Sequence, residues 1–170
     1  MNQQQAEHTP IADVMQQHTH CATEHQSVAE LAALFLDKGI SAAPVADANG
    51  KPIGFVSKTD IVRELKGQRP AARPEIGTHV QPWWDPERLS RLLVGEIMTP
   101  TLYTFSPSTS IADATAAMAF EGIHHLPVVE EESGKLVGML SALDVLDWMA
   151  RKAGYTPADG KHGRIFERST

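Results

Sequence analysis

Ser57-Lys58-Thr59-Asp60 and Ser141-Ala142-Leu143-Asp144 each set a hydroxyl and a carboxylate three residues apart, directly after an apolar run. An ionised carboxylate is acceptor-only and takes two hydroxyl donors. Ser57 and Thr59 are hydroxyls flanking Lys58. With the free N–H groups of a starting helix, such a set receives phosphate oxygens. The same residues also have a plainer use, because Ser and Asp are preferred side chains for capping a helix start. The second copy is poorer in phosphate-binding groups: Ala142 stands in place of Lys58, and Leu143 in place of Thr59. A ligand with fewer phosphates, or none, fits Asp144 better. Lys58, Arg63 and Lys66 add charge near the first copy, although exposed helix cations are commonly just solvated.

His18, His20, Cys21 and His25 are the other residues with ligand chemistry, since imidazole and thiolate suit zinc or copper. In an extended strand His18 and His20 point to one side and Cys21 to the other. They do not converge without a bend, and no metal site is expected. A single cysteine excludes an intramolecular disulfide framework. Catalysis is not expected either. The chain has no Gly-x-Gly-x-x-Gly, no Gly-x-x-x-x-Gly-Lys-Ser/Thr, no His-Glu-x-x-His and no Gly-x-Ser-x-Gly.

The elements that must position these residues occur twice. Val14-Met15 returns as Ile97-Met98, 83 positions on. At the same offset Ser27-Val28-Ala29-Glu30 returns as Ser110-Ile111-Ala112-Asp113, Gly39-Ile40 as Gly122-Ile123, and Pro44-Val45 as Pro127-Val128. The offset then becomes 84: Ile53-Gly54-Phe55-Val56-Ser57 matches Val137-Gly138-Met139-Leu140-Ser141, and Asp60-Ile61-Val62 matches Asp144-Val145-Leu146. The extra residue falls between Asp47–Lys51 and Glu130–Lys135, polar glycine-containing stretches that read as hairpin turns.

Each copy starts with a capped helix. Ser27 with Glu30, and Ser110 with Asp113, have capping-box spacing, Asp being the shorter partner. Gly39 and Gly122 sit where a glycine ends a helix. A short extended segment with Pro44 or Pro127 follows, then a hairpin whose second strand leads into Ser-x-x-Asp and another helix. The predicted order is β-α-β-β-α, twice. Short strands are expected at 18–21 and 101–104. Between the copies, Pro70, Pro74, Pro82 and Pro86 disfavour regular structure. A helix starting at Asp85-Pro86 would set Leu89, Leu92 and Leu93 on one face. Residues 154–170 show no apolar period and are expected to fray.

These residues are similar to a known family. Met15, Gly39-Ile40-Ser41-Ala42-Ala43-Pro44-Val45 and Gly54-Phe55-Val56-Ser57-Lys58-Thr59-Asp60 resemble one cystathionine-β-synthase (CBS) domain. Met98, Gly122-Ile123-His124-His125-Leu126-Pro127-Val128 and Gly138-Met139-Leu140-Ser141-Ala142-Leu143-Asp144 resemble a second. The whole resembles a tandem CBS pair, or Bateman module. The fold this implies is α/β (α+β), with two β-α-β-β-α repeats packed about a pseudo-twofold axis. The expected division is an N-terminal tail at 1–10, repeat 1 at 11–66, a proline-rich linker with a short helix at 67–93, repeat 2 at 94–153, and a C-terminal tail at 154–170.

The resemblance also implies a function. Clefts between such repeats bind adenosine-containing ligands: AMP, ADP, ATP, S-adenosylmethionine, sometimes a reduced nicotinamide cofactor. No cofactor is required and no covalent chemistry is implied. By that resemblance Asp60 and Asp144 would hold the vicinal ribose hydroxyls with charge-assisted bonds, Ser57, Lys58 and Thr59 would meet phosphate, and Ser141 would contact the nucleotide in the second copy. Ser41, Ala42 and Pro44 in one copy, and His125 and Pro127 in the other, would form the wall that reads adenine. Thr19 and Thr101 are further candidates. His124 and His125 alternate, so only one of them faces the site. Two modules commonly pair, so a homodimer is expected, with an unidentified regulated protein as partner.

The chain has 170 residues, 42% hydrophobic and 21% charged, ordinary for a globular domain able to bury a core. Its net charge of −6 gives no basic field for nucleic acid. No run of 18 apolar residues is present and Met1–His8 lacks the pattern of a signal peptide, so no membrane partner and a cytoplasmic location are expected. Trp83-Trp84 is the feature this reading does not absorb. It suits either a covered edge of the module or a partner anchor. The competing class is a ligand-free dimerisation or adaptor module, in which Asp60 and Asp144 are caps alone.

Overall fold

A computed structural model describes residues 3–66, 86–100, 103–157 and 166–168. In chain order the elements are α1 (Gln3–His8), a 3-10 turn (Ile11–Asp13), α2 (Val28–Asp37), β1 (Ala42–Ala46), β2 (Pro52–Ser57) and α3 (Lys58–Lys66). Then come α4 (Pro86–Arg91), α5 (Val94–Ile97), β3 (Thr99–Pro100), α6 (Ile111–Glu121), β4 (His125–Val129), β5 (Leu136–Ser141), α7 (Ala142–Lys152), β6 (Tyr155–Pro157) and β7 (Phe166–Arg168). The class is α+β.

The local signals explain most of these bounds. Ser27 accepts the Glu30 N–H at 3.2 Å while Glu30 accepts the Ser27 N–H at 2.9 Å, a reciprocal box. Ser110 accepts the Asp113 N–H at 3.1 Å, and its hydroxyl donates to the Asp113 carboxylate at 2.7 Å. Gly39 and Gly122 adopt φ of 64° and 67°. This left-handed turn lets Ile40 and Ile123 reach back to the carbonyls of Phe35 and Met118, closing the helix ends. The Asp47–Lys51 turn is held by the Asp47 carboxylate, which accepts the N–H groups of Asn49 and Lys51 at 2.8 Å each. The longer turn closes with Glu130 N–H to Lys135 C=O and Gly134 N–H to Glu130 C=O.

The chain divides into two compact units, one from His20 to Leu102 and the other from the residues up to Thr19 together with those from Tyr103 onward. In the first, β1 and β2 pair antiparallel with Ala42 opposite Ser57, and β3 adds to β2 with Thr99 opposite Phe55. Ala22 bridges Val45 in parallel. β1 lies at the sheet edge, where a strand tolerates Pro44. The core comprises Ala22, Val28, Leu31, Phe35, Ala43, Val45, Val56, Ile61 and Val94. In the other unit β4 and β5 pair with His125 opposite Ser141, Gln16 bridges Met139, and Phe105 bridges Val128. Its core is Ile11, Ile111, Ala114, Met118, Leu126, Val128, Leu140, Val145 and Trp148. Ala114 holds the place of Leu31, and Trp148 that of Glu64, so bulk lost on one helix is supplied by another.

Each unit therefore contains the N-terminal piece of the other copy. Met15 lies against Gly138 and Met98 against Gly54. A Cβ on Gly138 would stand 2.6 Å from Met15 Sδ and 2.9 Å from the Gln16 carbonyl oxygen; on Gly54 it would stand 2.5 Å from Met98 Sδ and 3.1 Å from the Thr99 oxygen. The glycine of the repeated motif is the gap into which the repeated methionine segment fits.

Several expectations are corrected. His18 to Cys21 form no strand, and pairing shrinks to the single bridges at Gln16 and Ala22, because the chain passes between units at Thr19–His20. Tyr103 and Thr104 likewise lie outside any strand, and Phe105 alone bridges, while Thr101 and Leu102 lie outside the described residues. Residues 3–8, expected as tail, form α1, with Ala6 against the core of its unit. This helix sits 83 residues before α4, so the structural repeat begins earlier than the motif. Leu89 and Leu92 pack on the core as expected, but Leu93 is 38% exposed, since α4 ends at Arg91 and Leu93 is the extended residue capping α5. Tyr155–Pro157 does not fray: it pairs antiparallel with Phe166–Arg168.

Candidate functional site

The register of each hairpin brings the pre-proline segment beside the start of the following helix. Ala42 lies opposite Ser57, and the Lys58 N–H donates to the Ser41 carbonyl at 2.9 Å. In the second copy His125 lies opposite Ser141, and the Ala142 N–H donates to the His124 carbonyl at 2.9 Å. Residues distant in sequence thus meet at one strand-to-helix junction in each repeat.

At the first junction Asp60 is buried, 8% exposed. Its Oδ2 accepts the Ser57 N–H at 2.8 Å and the Ser57 hydroxyl at 2.7 Å; its Oδ1 accepts the Arg63 guanidinium at 2.7 Å. Lys58 and Thr59 are exposed at the head of α3, and Ser41 is exposed while Ala42 is buried. Asp60 lies in the first turn of α3. Pro44 does not line this surface: its ring is fully buried and its carbonyl accepts the Ala22 N–H.

At the second junction the Asp144 Oδ2 accepts the Ser141 N–H at 2.7 Å and its hydroxyl at 2.6 Å, while Ser141 Oγ accepts the Asp144 N–H at 3.2 Å. This is the capping use weighed from sequence, realised in full. Oδ1 accepts the Gln16 side-chain amide at 3.0 Å, and the Thr19 hydroxyl donates to the Gln16 carbonyl at 3.2 Å. Thr19 therefore belongs with Asp144, not Asp60. Of the two histidines, His124 is exposed and His125 half-buried. Burial, with the neighbouring His124 adding to it, holds the His125 imidazole below its ordinary pKa, and Asp144 partly offsets this. Pro127 is buried like Pro44. Leu143, in place of Thr59, is 75% exposed.

Thr101 and Trp83-Trp84 lie outside the described residues. Among the described residues no three His, Cys, Asp or Glu side chains gather as a metal site, and no helix is long and apolar enough to cross a membrane. Gln16 is the site residue that sequence reasoning missed. Its one signal was its place immediately after the repeated Met15.

The CBS domain family model matches residues 11–67 and 94–151. Among curated proteins, the chain is 29% identical over 144 residues to protein MJ1404 of Methanocaldococcus jannaschii, spanning 84% of this chain and 32% of that one. It is 28% identical over 150 residues to the chloroplastic CBS domain-containing protein CBSX2 of Arabidopsis thaliana, spanning 80% of this chain and 61% of that one. The chain thus covers about a third and three-fifths of these two relatives. Among solved structures, CBSX2 in complex with AMP is 25% identical, with a TM-score of 0.64 over 84% of this chain and 97% of that one. The CBS domain pair of protein MJ0100, in complex with 5-methylthioadenosine and S-adenosylmethionine, is 20% identical with a TM-score of 0.67 over 85% and 98%, a likeness of fold. With both copies of the motif matched and the fold shared, the chain belongs to the CBS domain family as a tandem pair.

Proposed function

We propose that this protein is a regulatory module that binds an adenosine-containing ligand at the strand-to-helix junctions of its repeats and passes the bound state to a protein partner. The observation that carries the reading is the serine–aspartate pair. Each serine fixes one carboxylate oxygen with two bonds and leaves the other to another side chain, Arg63 on Asp60 and Gln16 on Asp144. A carboxylate so oriented suits the vicinal hydroxyls of ribose. The complex of CBSX2 with AMP supports this ligand class.

The first junction, with Lys58, Thr59 and Arg63, suits AMP, ADP or ATP. The second, with Ala142 and Leu143, suits a nucleoside with fewer phosphates or a sulfonium such as S-adenosylmethionine. The module acts by binding and without covalent chemistry. Signalling requires only that the ligand bind one conformation of the module more tightly than another. A homodimer is supported by Val62 on α3 and Leu146 on α7. They occupy the same repeat position and are 60% and 58% exposed. We place the protein in the cytoplasm.

The test is thermal unfolding with AMP, ADP, ATP and S-adenosylmethionine. A ligand at 100 times its Kd stabilises by about 2.7 kcal/mol, roughly 5–11 °C for this chain length. The expected result is a shift with at least one ligand that is reduced or lost in Asp60→Ala. No shift with any ligand, once mass spectrometry shows that none co-purified, refutes the reading in favour of an adaptor that acts through protein contacts.

A further inference from the structure

The two serine–aspartate pairs agree at Oδ2 and differ at Oδ1. An ionised carboxylate offers about four lone-pair positions. In Asp144, Ser141 fills two of them, both on Oδ2, and the Gln16 amide fills a third on Oδ1. One position is left, and a vicinal diol needs two. Gln16 is not there by side-chain wandering. Its N–H and C=O both bond to Met139 at 2.9 Å, and the Thr19 hydroxyl holds the same carbonyl. Gly138 keeps open the space in which this backbone lies. In the other unit Thr99 occupies the matching place opposite Phe55, with no amide to offer, and Arg63 takes the Asp60 Oδ1 instead.

We propose that Gln16 is a specificity-determining residue of the second repeat's ligand site: its amide stands in for a ligand hydroxyl on Asp144 Oδ1 and has to leave before a vicinal diol binds. The inference rests on the reading that Asp144 holds ribose. The two displacements are not equivalent. Arg63, released from Asp60, is a cation that a phosphate of the incoming ligand can engage. An amide released from Asp144 exchanges its ionic acceptor for water. The first junction therefore fills first with phosphorylated ligands, and the second fills at higher concentration.

The test uses the full chain in an Asp60→Ala background, so that calorimetric titration with adenosine and with AMP reads the second site alone. Gln16→Ala should tighten adenosine binding about two- to tenfold, the worth of one net hydrogen bond. Gln16→Asn, whose amide is one methylene too short, should behave like Gln16→Ala. Equal or weaker binding in both variants, with unchanged melting temperature, overturns the proposal, as does a Gln16→Ala protein that binds no adenosine. The Asp144→Ala protein separates the two failures. If it still binds AMP, the ribose reading stands at the first repeat whatever the fate of Gln16. If neither single-aspartate variant nor the unaltered protein binds, the ribose reading itself has failed.

Discussion

Gly138→Ala tests the packing of the exchanged segments directly. The added methyl would lie 2.6 Å from Met15 Sδ, 2.9 Å from the Gln16 carbonyl oxygen and 3.1 Å from Met15 Cε. The methionine end can swing away. The carbonyl cannot, because it accepts the Met139 N–H at 2.9 Å in a reciprocal backbone pair. Gly138 is not among the positive-φ glycines, so the effect is steric and involves no left-handed backbone. Overpacking of this kind costs about 1–3 kcal/mol, which lowers the melting temperature by roughly 2–12 °C at this length. Gly54→Ala should cost less, because its backbone neighbour, the Thr99 oxygen, is at 3.1 Å and its close contact is the flexible Met98. Pairing Gly138→Ala with Met15→Ala should recover only the sulfur share of the loss, read as a coupling energy in a double-mutant cycle. Urea denaturation of the four proteins measures all of this. A Gly138→Ala protein within about 0.5 kcal/mol of the parent, the range of a neutral surface change, would refute the fitted-gap argument. So would one in which Met15→Ala restores the whole loss.

Other outcomes follow from the same geometry. His125 has a depressed pKa in the folded protein, so the unfolded chain binds more protons. Its contribution is complete above the ordinary imidazole value of about 6.5 and is lost as pH falls from there through the lower folded value. Melting temperatures between pH 7.5 and 5.5 should therefore fall less in His125→Asn than in the parent; equal slopes would contradict the burial. Val62→Asp combined with Leu146→Asp places charges on the exposed apolar positions of α3 and α7. Sedimentation should show a monomer for the double variant against a dimer for the parent, and an unchanged mass would move the interface elsewhere. Ser27→Ala removes the reciprocal cap of α2. It should cost about 1 kcal/mol in a denaturation experiment, and no measurable loss would mean that α2 is held by packing alone.

Much of this architecture was legible because it is local. Ser27 and Glu30 are three residues apart, Gly39 and Gly122 mark helix ends by conformational freedom, and the one-residue gap between copies falls in a turn that absorbs it. The motif carrying Asp60 and Asp144 is local too, so the bonds within the serine–aspartate pair could be written down in advance. What escaped was long-range or without pattern. Met15 meets Gly138 across most of the chain, and a repeated sequence offers two identical glycines without saying which methionine each accepts. Helix α1 is mostly polar and touches the core through Ala6, leaving no apolar period to read. Leu93 sits at helical spacing from Leu89, but the helix stops two residues short of it. Gln16 is a residue type without a signature, and only its 3.0 Å approach to Asp144 gives it a role.

The interleaving of the copies has a consequence for how such a protein can be cut or assembled. A chain divided within residues 67–85 yields two pieces, neither of which holds a complete unit. The first carries Ile11, which belongs to the core built on α6, and the second carries Val94, which belongs to the core built on α2. Each piece is the missing ligand of the other, so the pieces should restore structure when mixed and fail when alone. The two copies are in that sense an indivisible pair. Losing one strips a buried side chain from the core of the unit that remains.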